Sequence, residues 1–396
     1  MSIATSTSRP RLLTPLFGLV MLSTLAYFTA VGMITPTLPR YVEGPLGRGN
    51  LAVGITVGAF ALTAVLLRPW VGRISDLRGR RLLIIGGGLI VGFSIAGYAL
   101  ADSLLPLILA RLFTGVGEAA FYVGVASVIN DISPDERRGE ALSFFSLALF
   151  GGLAIGPVIG ESILEWIDFT AVWMGAGAAA IFAGLVGIIV SETRPEGAGD
   201  GPMKLIHRGA ILPGVILSTN IWGLATFSAF IPLYVLQLGM SGSRFIFALN
   251  SAIILSIRLF GARLPDKLGP GKSSRLALIN VMLGFLVMFL WAEPVGLVVG
   301  TVLYSVGHAL LFPALMTLAI NQAPPSERGA VVGTFTSFFD LSFGIGAASA
   351  GAIASLVGYN GAFGIASAVA AGGLILMGYV RRSRAKMQAA PAVKAA

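Results

Sequence analysis

Long apolar stretches broken by short polar ones recur along the whole chain, and that alternation predicts its elements. The first runs from about Leu12 to Pro39. Others fall at roughly 50–72, 82–102, 104–130, 136–164 and 169–190, then at 209–237, 243–264, 273–292, 294–321, 328–356 and 360–380. About 20 apolar residues, rising about 1.5 Å each, carry a helix across the hydrocarbon core of a bilayer, and each stretch reaches that length. The pattern therefore predicts an all-α membrane protein with twelve transmembrane helices. The opening stretch is too long for the core of a signal peptide, and too many others follow it. A polar Gly/Pro-rich connection, residues 191–202, divides the chain nearly in half. The expected units are a bundle over 1–191, a linker over 192–208, a second bundle over 209–380, and a tail over 381–396 that is basic, then Ala-rich, and expected to be disordered.

Composition agrees. Of 396 residues, 56% are apolar and 11% charged, with a mean hydropathy of +0.87, which leaves too little charge to cover a water-soluble surface. Almost nothing remains for a soluble catalytic domain, so an enzyme is not expected. The net charge of +9 does not mark a nucleic-acid binder, because most basic residues sit between or beyond the spans. With the N-terminus inside, 21 of the 27 Lys and Arg fall on that side of the membrane. Only Arg40, Arg48 and Arg244 fall on the other, and Arg68, Arg111 and Arg258 lie inside spans. The positive-inside rule then places both termini in the cytoplasm. Cysteine is absent, which excludes disulfides and thiolate metal sites, and His207 and His308 lack ligand spacing. Gly86, Gly87 and Gly88 lie inside a span without a phosphate-loop lysine, so they read as packing glycines. With no ATP site and no cofactor expected, energy has to come from an ion or substrate gradient.

The two halves repeat. A shift of 190 residues carries Arg68 onto Arg258, Arg73 onto Arg263, Asp76 onto Asp266, Gly79 onto Gly269, Gly117 onto Gly307, Arg138 and Gly139 onto Arg328 and Gly329, and Gly156 onto Gly346. Pro39-Arg40-Tyr41-Val42 resembles Pro232-Leu233-Tyr234-Val235 at a shift of 193.

Between the second and third stretches, residues 68–81 read Arg-Pro-Trp-Val-Gly-Arg-Ile-Ser-Asp-Leu-Arg-Gly-Arg-Arg, a dense charge cluster between long apolar runs. Gly72 lets two backbones approach, Asp76 is placed to meet a helix N-terminus or a basic neighbour, and Gly79 permits a reversal before Arg80 and Arg81. The pattern resembles the signature loop of the major facilitator superfamily. Three further motifs extend the resemblance over essentially the whole chain. Gly32-Met-Ile-Thr-Pro36-Thr-Leu-Pro39 looks like the first-helix proline motif of twelve-span drug:proton antiporters. Arg111-Leu-Phe-Thr-Gly115-Val-Gly117 is similar to a motif whose arginine is associated with proton transfer. Gly152-Leu-Ala-Ile-Gly156-Pro157-Val-Ile-Gly160 resembles the antiporter motif of span five, except that Glu161 stands where that motif ends in glycine. The resemblance implies the major facilitator fold, two pseudo-symmetric six-helix bundles, with substrate bound near the midplane between them. It also implies a monomer in the cell inner membrane whose partners are a small-molecule substrate, protons and lipid.

Each motif also has a plain packing reading, since glycines four apart let helices approach in any membrane bundle and Pro157 kinks a helix on structural grounds alone. On the transport reading, Gly156 and Pro157 shape span five where the bundles meet. Ionisable groups inside spans are costly, at least about 2.5 kcal/mol at the bilayer centre, so they face a cavity or a partner. Arg111, Gly115, Glu118 and Tyr122 fall on one face of span four, and the repeat sets His308 of span ten opposite Glu118. Glu118 with Arg111 and His308 is the first candidate for proton coupling. Asp340, flanked by Phe338, Phe339 and Phe343, is the second, unless it is held in a buried pair with a basic or amide group on a facing helix. Tyr122, Asn220, Trp222, Asn250, Tyr304 and Tyr27 are candidate cavity residues, although amides in membrane helices also serve as helix-to-helix hydrogen bonds. The expected activity is proton-coupled efflux of small lipophilic or amphipathic compounds by alternating access. The alternatives are a facilitator or importer of a metabolite, sugar or lipid, and a non-transporting receptor or scaffold.

Overall fold

The computed structural model describes residues 12–134, 137–193, 206–260, 268–321 and 328–389. The described residues are helical apart from short connections. The first half holds α1 (Pro15–Glu43), α2 (Asn50–Arg78), α3 (Arg80–Ala96), α4 (Leu104–Ile132), α5 (Arg138–Trp166) and α6 (Phe169–Val186). The second half holds α7 (Arg208–Gln237), α8 (Arg244–Phe260), α9 (Pro270–Leu290) and α10 (Pro294–Ile320). It closes with a helical stretch, Arg328–Ala389, which is broken at Gly358 (φ 71°, ψ 179°). The arm before Gly358 is α11 and the arm after it α12.

The ends of these helices follow from local chemistry. Thr14 caps α1, its Oγ1 accepting from the Phe17 amide at 3.1 Å with Pro15 next in line, and Asp168 caps α6 by accepting from the Ala171 amide at 2.7 Å. Gly79 and Gly269, equivalent in the repeat, both precede a helix with positive φ, 99° and 80°. A side chain there would be strained, so the reversal needs glycine on both occasions.

Ten of the described helices are long and apolar enough to cross a membrane, against the twelve expected. The difference arises in two places. α8 has 17 residues up to Phe260, where that described segment ends, and the two arms that meet at the Gly358 kink, α11 and α12, are counted together as one span. The last helix also runs on to Ala389, past the expected start of the tail at 381, while residues 390–396 lie outside the described chain. Residues 194–205, most of the expected linker, lie outside it as well.

Within the first half α1 packs on α5 and α6, α3 on α4 and α6, and α2 on α4. In lipid there is no hydrophobic drive between helices, so close contact depends on small residues at the crossings. Gly117 of α4 faces the Gly87 carbonyl and Val91 of α3, and Gly307 of α10 faces the Ala277 carbonyl and Val281 of α9. Each member of the second crossing is 190 residues beyond its counterpart in the first, so the repeat extends to packing. The halves meet along two symmetric seams, α2 against α11 and α5 against α8, and also where α1 meets α7.

Candidate functional site

Arg68 lies ten residues before the end of α2, about 15 Å from it along the axis. Its Nη1 stands 2.6 Å from Oδ2 of Asp340 on α11, so a buried ion pair joins the two halves. Arg68 Nε is buried without a hydrogen-bond partner among the described residues. The guanidinium also lies 5.1 Å from the centre of the Tyr122 ring on α4. Glu118, one turn before Tyr122, is within electrostatic reach of Arg68 and Asp340 and has no hydrogen bond or ion pair among the described residues. Two carboxylates from opposite halves thus lie within electrostatic reach of one arginine. The alternative of a buried pair for Asp340 is the arrangement observed, and it includes an in-span arginine that the sequence reading had not placed in the site.

Arg111 is also within electrostatic reach of Glu118, but its hydrogen bonds go elsewhere. Its Nε donates to the Thr56 carbonyl at 3.0 Å, its Nη2 to the Val57 carbonyl at 2.8 Å and its Nη1 to the Tyr98 hydroxyl at 3.5 Å, while its plane lies 4.6 Å from the Phe60 ring centre. Arg111 therefore ties α4 to α2. It shares a face with Glu118 two turns on, about 10.5 Å of rise, and no ion pair joins the two among the described residues. His308 is not drawn to Glu118 either. Its Nδ1 lies 3.0 Å from the Asn220 amide nitrogen on α7, and its ring stacks on Tyr304 at 5.6 Å.

The other candidate polar groups mostly join helices of the second half. Ser305 donates to Asn250 Oδ1 at 2.8 Å, and Trp222 Nε1 donates to Ser349 Oγ at 2.8 Å. Tyr304 is stacked on Phe227 and tilted against Phe285, and Tyr27 is stacked on Phe121 at 3.9 Å; both hydroxyls are buried without a hydrogen-bond partner among the described residues.

Where α2 meets α3, at the basic end of the bundle, the acids that serve the turn among the described side chains come from elsewhere in the chain. Glu192 accepts from the amides of Arg80 at 2.9 Å and Arg81 at 3.3 Å, which places a carboxylate at the N-terminus of α3. Arg80 Nε donates to Asp131 Oδ2 at 3.0 Å, and Thr193 Oγ1 donates to the same oxygen at 2.8 Å. Gly72 is half-buried beside this turn, and a Cβ at Gly72 would meet nothing. The Asp76 side chain lies outside the description.

Gly152, Gly156 and Gly160 face α1 of their own half, against Leu25, Thr29, Gly32 and Met33, rather than the other bundle. A Cβ at Gly32 would in turn meet Pro157 and Gly156, so the motifs of spans one and five form a single contact. Glu161, the departure from the motif, is what crosses. Its carboxylate accepts from the amides of Ser243 and Arg244 at 2.9 Å each and from Ser243 Oγ at 2.5 Å, capping α8 from the opposite half. Arg40 stands 3.6 Å away, and Arg244 pairs with Glu165 at 2.9 Å. This closes the α5–α8 seam at the end far from the basic loops.

Nearer the basic end the same seam parts into a cleft of about 530 Å³, lined by α5, α8 and α10, including Leu147, Arg258, Leu310 and Pro313. Among the described residues no group of His, Asp and Glu is arranged to hold a metal ion.

The Major Facilitator Superfamily model matches residues 20–298 and 276–395. An uncharacterised MFS-type transporter of Pseudomonas aeruginosa is 29% identical over 403 residues, covering 96% of this chain and 97% of that protein. Another, from Salmonella typhimurium, is 28% identical over 363 residues, covering 87% and 91%. The crystal structure of a bacterial homologue of the human lysosomal transporter Spinster, inward-facing and occupied, superposes with a TM-score of 0.78 at 15% identity, covering 93% of this chain and 96% of that one. With a family model spanning nearly its full length and apolar helices packed as two repeated halves, this multi-pass membrane protein belongs to the Major Facilitator Superfamily of transporters.

Proposed function

We propose that the chain is a secondary active transporter of the cytoplasmic membrane, exporting small lipophilic or amphipathic compounds by alternating access in exchange for protons. The observation that carries this reading is the buried Arg68–Asp340 pair between the halves, with Glu118 in reach of the same arginine. A proton on Asp340 cancels one side of the pair and removes a charge contact that holds α2 to α11. Arg68 then turns to Glu118 on its own half, and the cross-seam hold is weakened. Loss of the proton restores it. Each proton entering supplies about 2.3 kcal/mol per 100 mV, enough to drive solute against a gradient. With the basic end in the cytoplasm, the α5–α8 cleft faces inward and the Glu161 cap closes the outer side.

The test is accumulation in inverted vesicles under an imposed proton gradient, screened over dyes and metabolites. Asp340→Asn and Glu118→Gln are expected to lose gradient-driven accumulation while still exchanging solute down its own gradient. Normal accumulation in both variants would remove the proton mechanism. Flux that ignores the gradient in the unmodified protein would favour a facilitator.

A further inference from the structure

The shift that carries Arg68 onto Arg258 also carries Phe150 onto Asp340. The two seams therefore present the same position with different chemistry. On α2 and α11 an arginine meets a carboxylate; on α8 and α5 the equivalent arginine meets a phenyl ring, with the Arg258 guanidinium carbon 3.4 Å from the centre of the Phe150 ring. A ring covers one face of a guanidinium and leaves the in-plane N–H donors unused. No hydrogen bond or ion pair engages Arg258 among the described residues, and its Nε is buried without a hydrogen-bond partner. The acid nearest to hand in the cleft, Glu140, is held by Arg137 through two bonds of 2.8 Å. Arginine does not shed its proton in proteins, so a cation in an apolar seam calls for an anion.

The cleft supplies the rest of a binding site. Arg258 lies in its wall beside Leu147, Ile257, Leu310, Phe144 and Pro313, with Ser146 as a further polar group. We propose that this cleft binds an oxyanion joined to an apolar body, the oxyanion on the edge of Arg258 and the body against the aliphatic and phenyl wall. The transported solutes are then amphipathic organic anions. This assignment rests on the transporter reading for its physiological meaning, but the binding site itself does not. A carboxylate, sulfonate or phosphate on a solute and the headgroup of an anionic lipid share the required chemistry, and the solute is the occupant proposed.

The experiment measures binding and flux separately. The purified full chain in phosphatidylcholine nanodiscs is titrated with naphthalene-2-carboxylate, naphthalene-2-sulfonate and dodecyl phosphate. The neutral naphthalene-2-carboxamide and the cationic naphthalen-2-ylmethylammonium serve as matched controls. Saturable binding of at least one anion is expected, about tenfold or more tighter than its control. Arg258→Gln should abolish that preference and Arg258→Lys should keep part of it. Phe150→Asp supplies the missing carboxylate from within the chain and should abolish anion binding with Arg258 still in place, which keeps the test open if Arg258→Gln fails to fold. Absence of saturable binding by every anion, or binding unchanged in both Arg258→Gln and Phe150→Asp, overturns the proposal. Competition by added phosphatidylglycerol that matches the loss in Arg258→Gln assigns the site to lipid and overturns the solute assignment. Flux of the neutral or cationic compounds alone, in proteoliposomes, overturns the anion assignment while leaving the transporter reading intact. Anion binding without flux of any compound does the reverse.

Discussion

Three arginines lie within the apolar stretches, and each has a different counterpart: Asp340 for Arg68, backbone carbonyls of α2 for Arg111, and the Phe150 ring for Arg258. The cost of a buried charge falls most heavily on whichever partner is left alone. Asp340→Asn leaves Arg68 with Glu118 as the remaining carboxylate within electrostatic reach among the described residues, so it is expected to lower stability by less than the about 3–5 kcal/mol of a buried charge left wholly alone. Combining it with Arg68→Gln removes both charges and should recover most of that loss. Thermal unfolding of the two single variants and the double variant in detergent checks this, and additive losses would show that the side chains act independently. Sequence alone marked Asp340, Glu118 and Arg111 as ionisable groups in apolar helices, because their cost is legible there. It also placed Glu118 and Tyr122 on one face, since one turn brings side chains together. Partner choice was not legible. Arg111 turns to α2 and Asp340 to Arg68 because of how far one helix is slid along the next, and no spacing within a single helix records that offset.

At the level of whole helices, spacing of small residues revealed where backbones approach but not which backbone lies opposite. Gly152, Gly156 and Gly160 form a row on α5, and the row faces α1 of the same half. Gly156→Val is expected to lower folded yield, because its Cβ would meet the Thr29 carbonyl and the Gly32 backbone. Gly151→Ala, where only Leu25 Cδ1 stands 3.4 Å from the new atom, should express normally. Size-exclusion profiles of the two variants decide it, and equal profiles would show that α1 shifts to make room. The reversals at Gly79 and Gly269 were legible because no other residue takes positive φ so cheaply. The acid serving the first of them was not. Glu192 reaches the α3 N-terminus from more than 110 residues away in sequence, as the separations of 112 and 111 to Arg80 and Arg81 record.

Across the whole molecule the far end is held by two seams of unlike construction. On α2 and α11, Gly54 and Gly58 pack backbone to backbone with Gly344, Ala347 and Gly351, and the Asn50 side chain donates to the Ala354 carbonyl. On α5 and α8 the hold is Glu161 on the amides and hydroxyl of Ser243 and Arg244, with Arg40 alongside. Glu161→Ala removes every one of those bonds and is expected to raise the population opened at the far end. The chain contains no cysteine, so spin labels attached at introduced cysteines, Arg48→Cys and Met240→Cys, read that distance without background. An unchanged distribution would show that the cap holds nothing shut. The repeat is also visible here as symmetry of position without symmetry of chemistry, for Glu161 and Gly351 are equivalent residues. A glycine contact has no charge to screen and changes little as salt varies, whereas a carboxylate on helix amides is weakened by it. At the far end, opening should therefore begin along the α5–α8 edge and pivot about the other, where Tyr359 also donates to Glu43 at 2.8 Å. The Arg68–Asp340 pair governs the α2–α11 seam deeper in the bundle. The molecule would swing like a door hung on α2 and α11, with its catch at Glu161, instead of parting evenly like a pair of jaws.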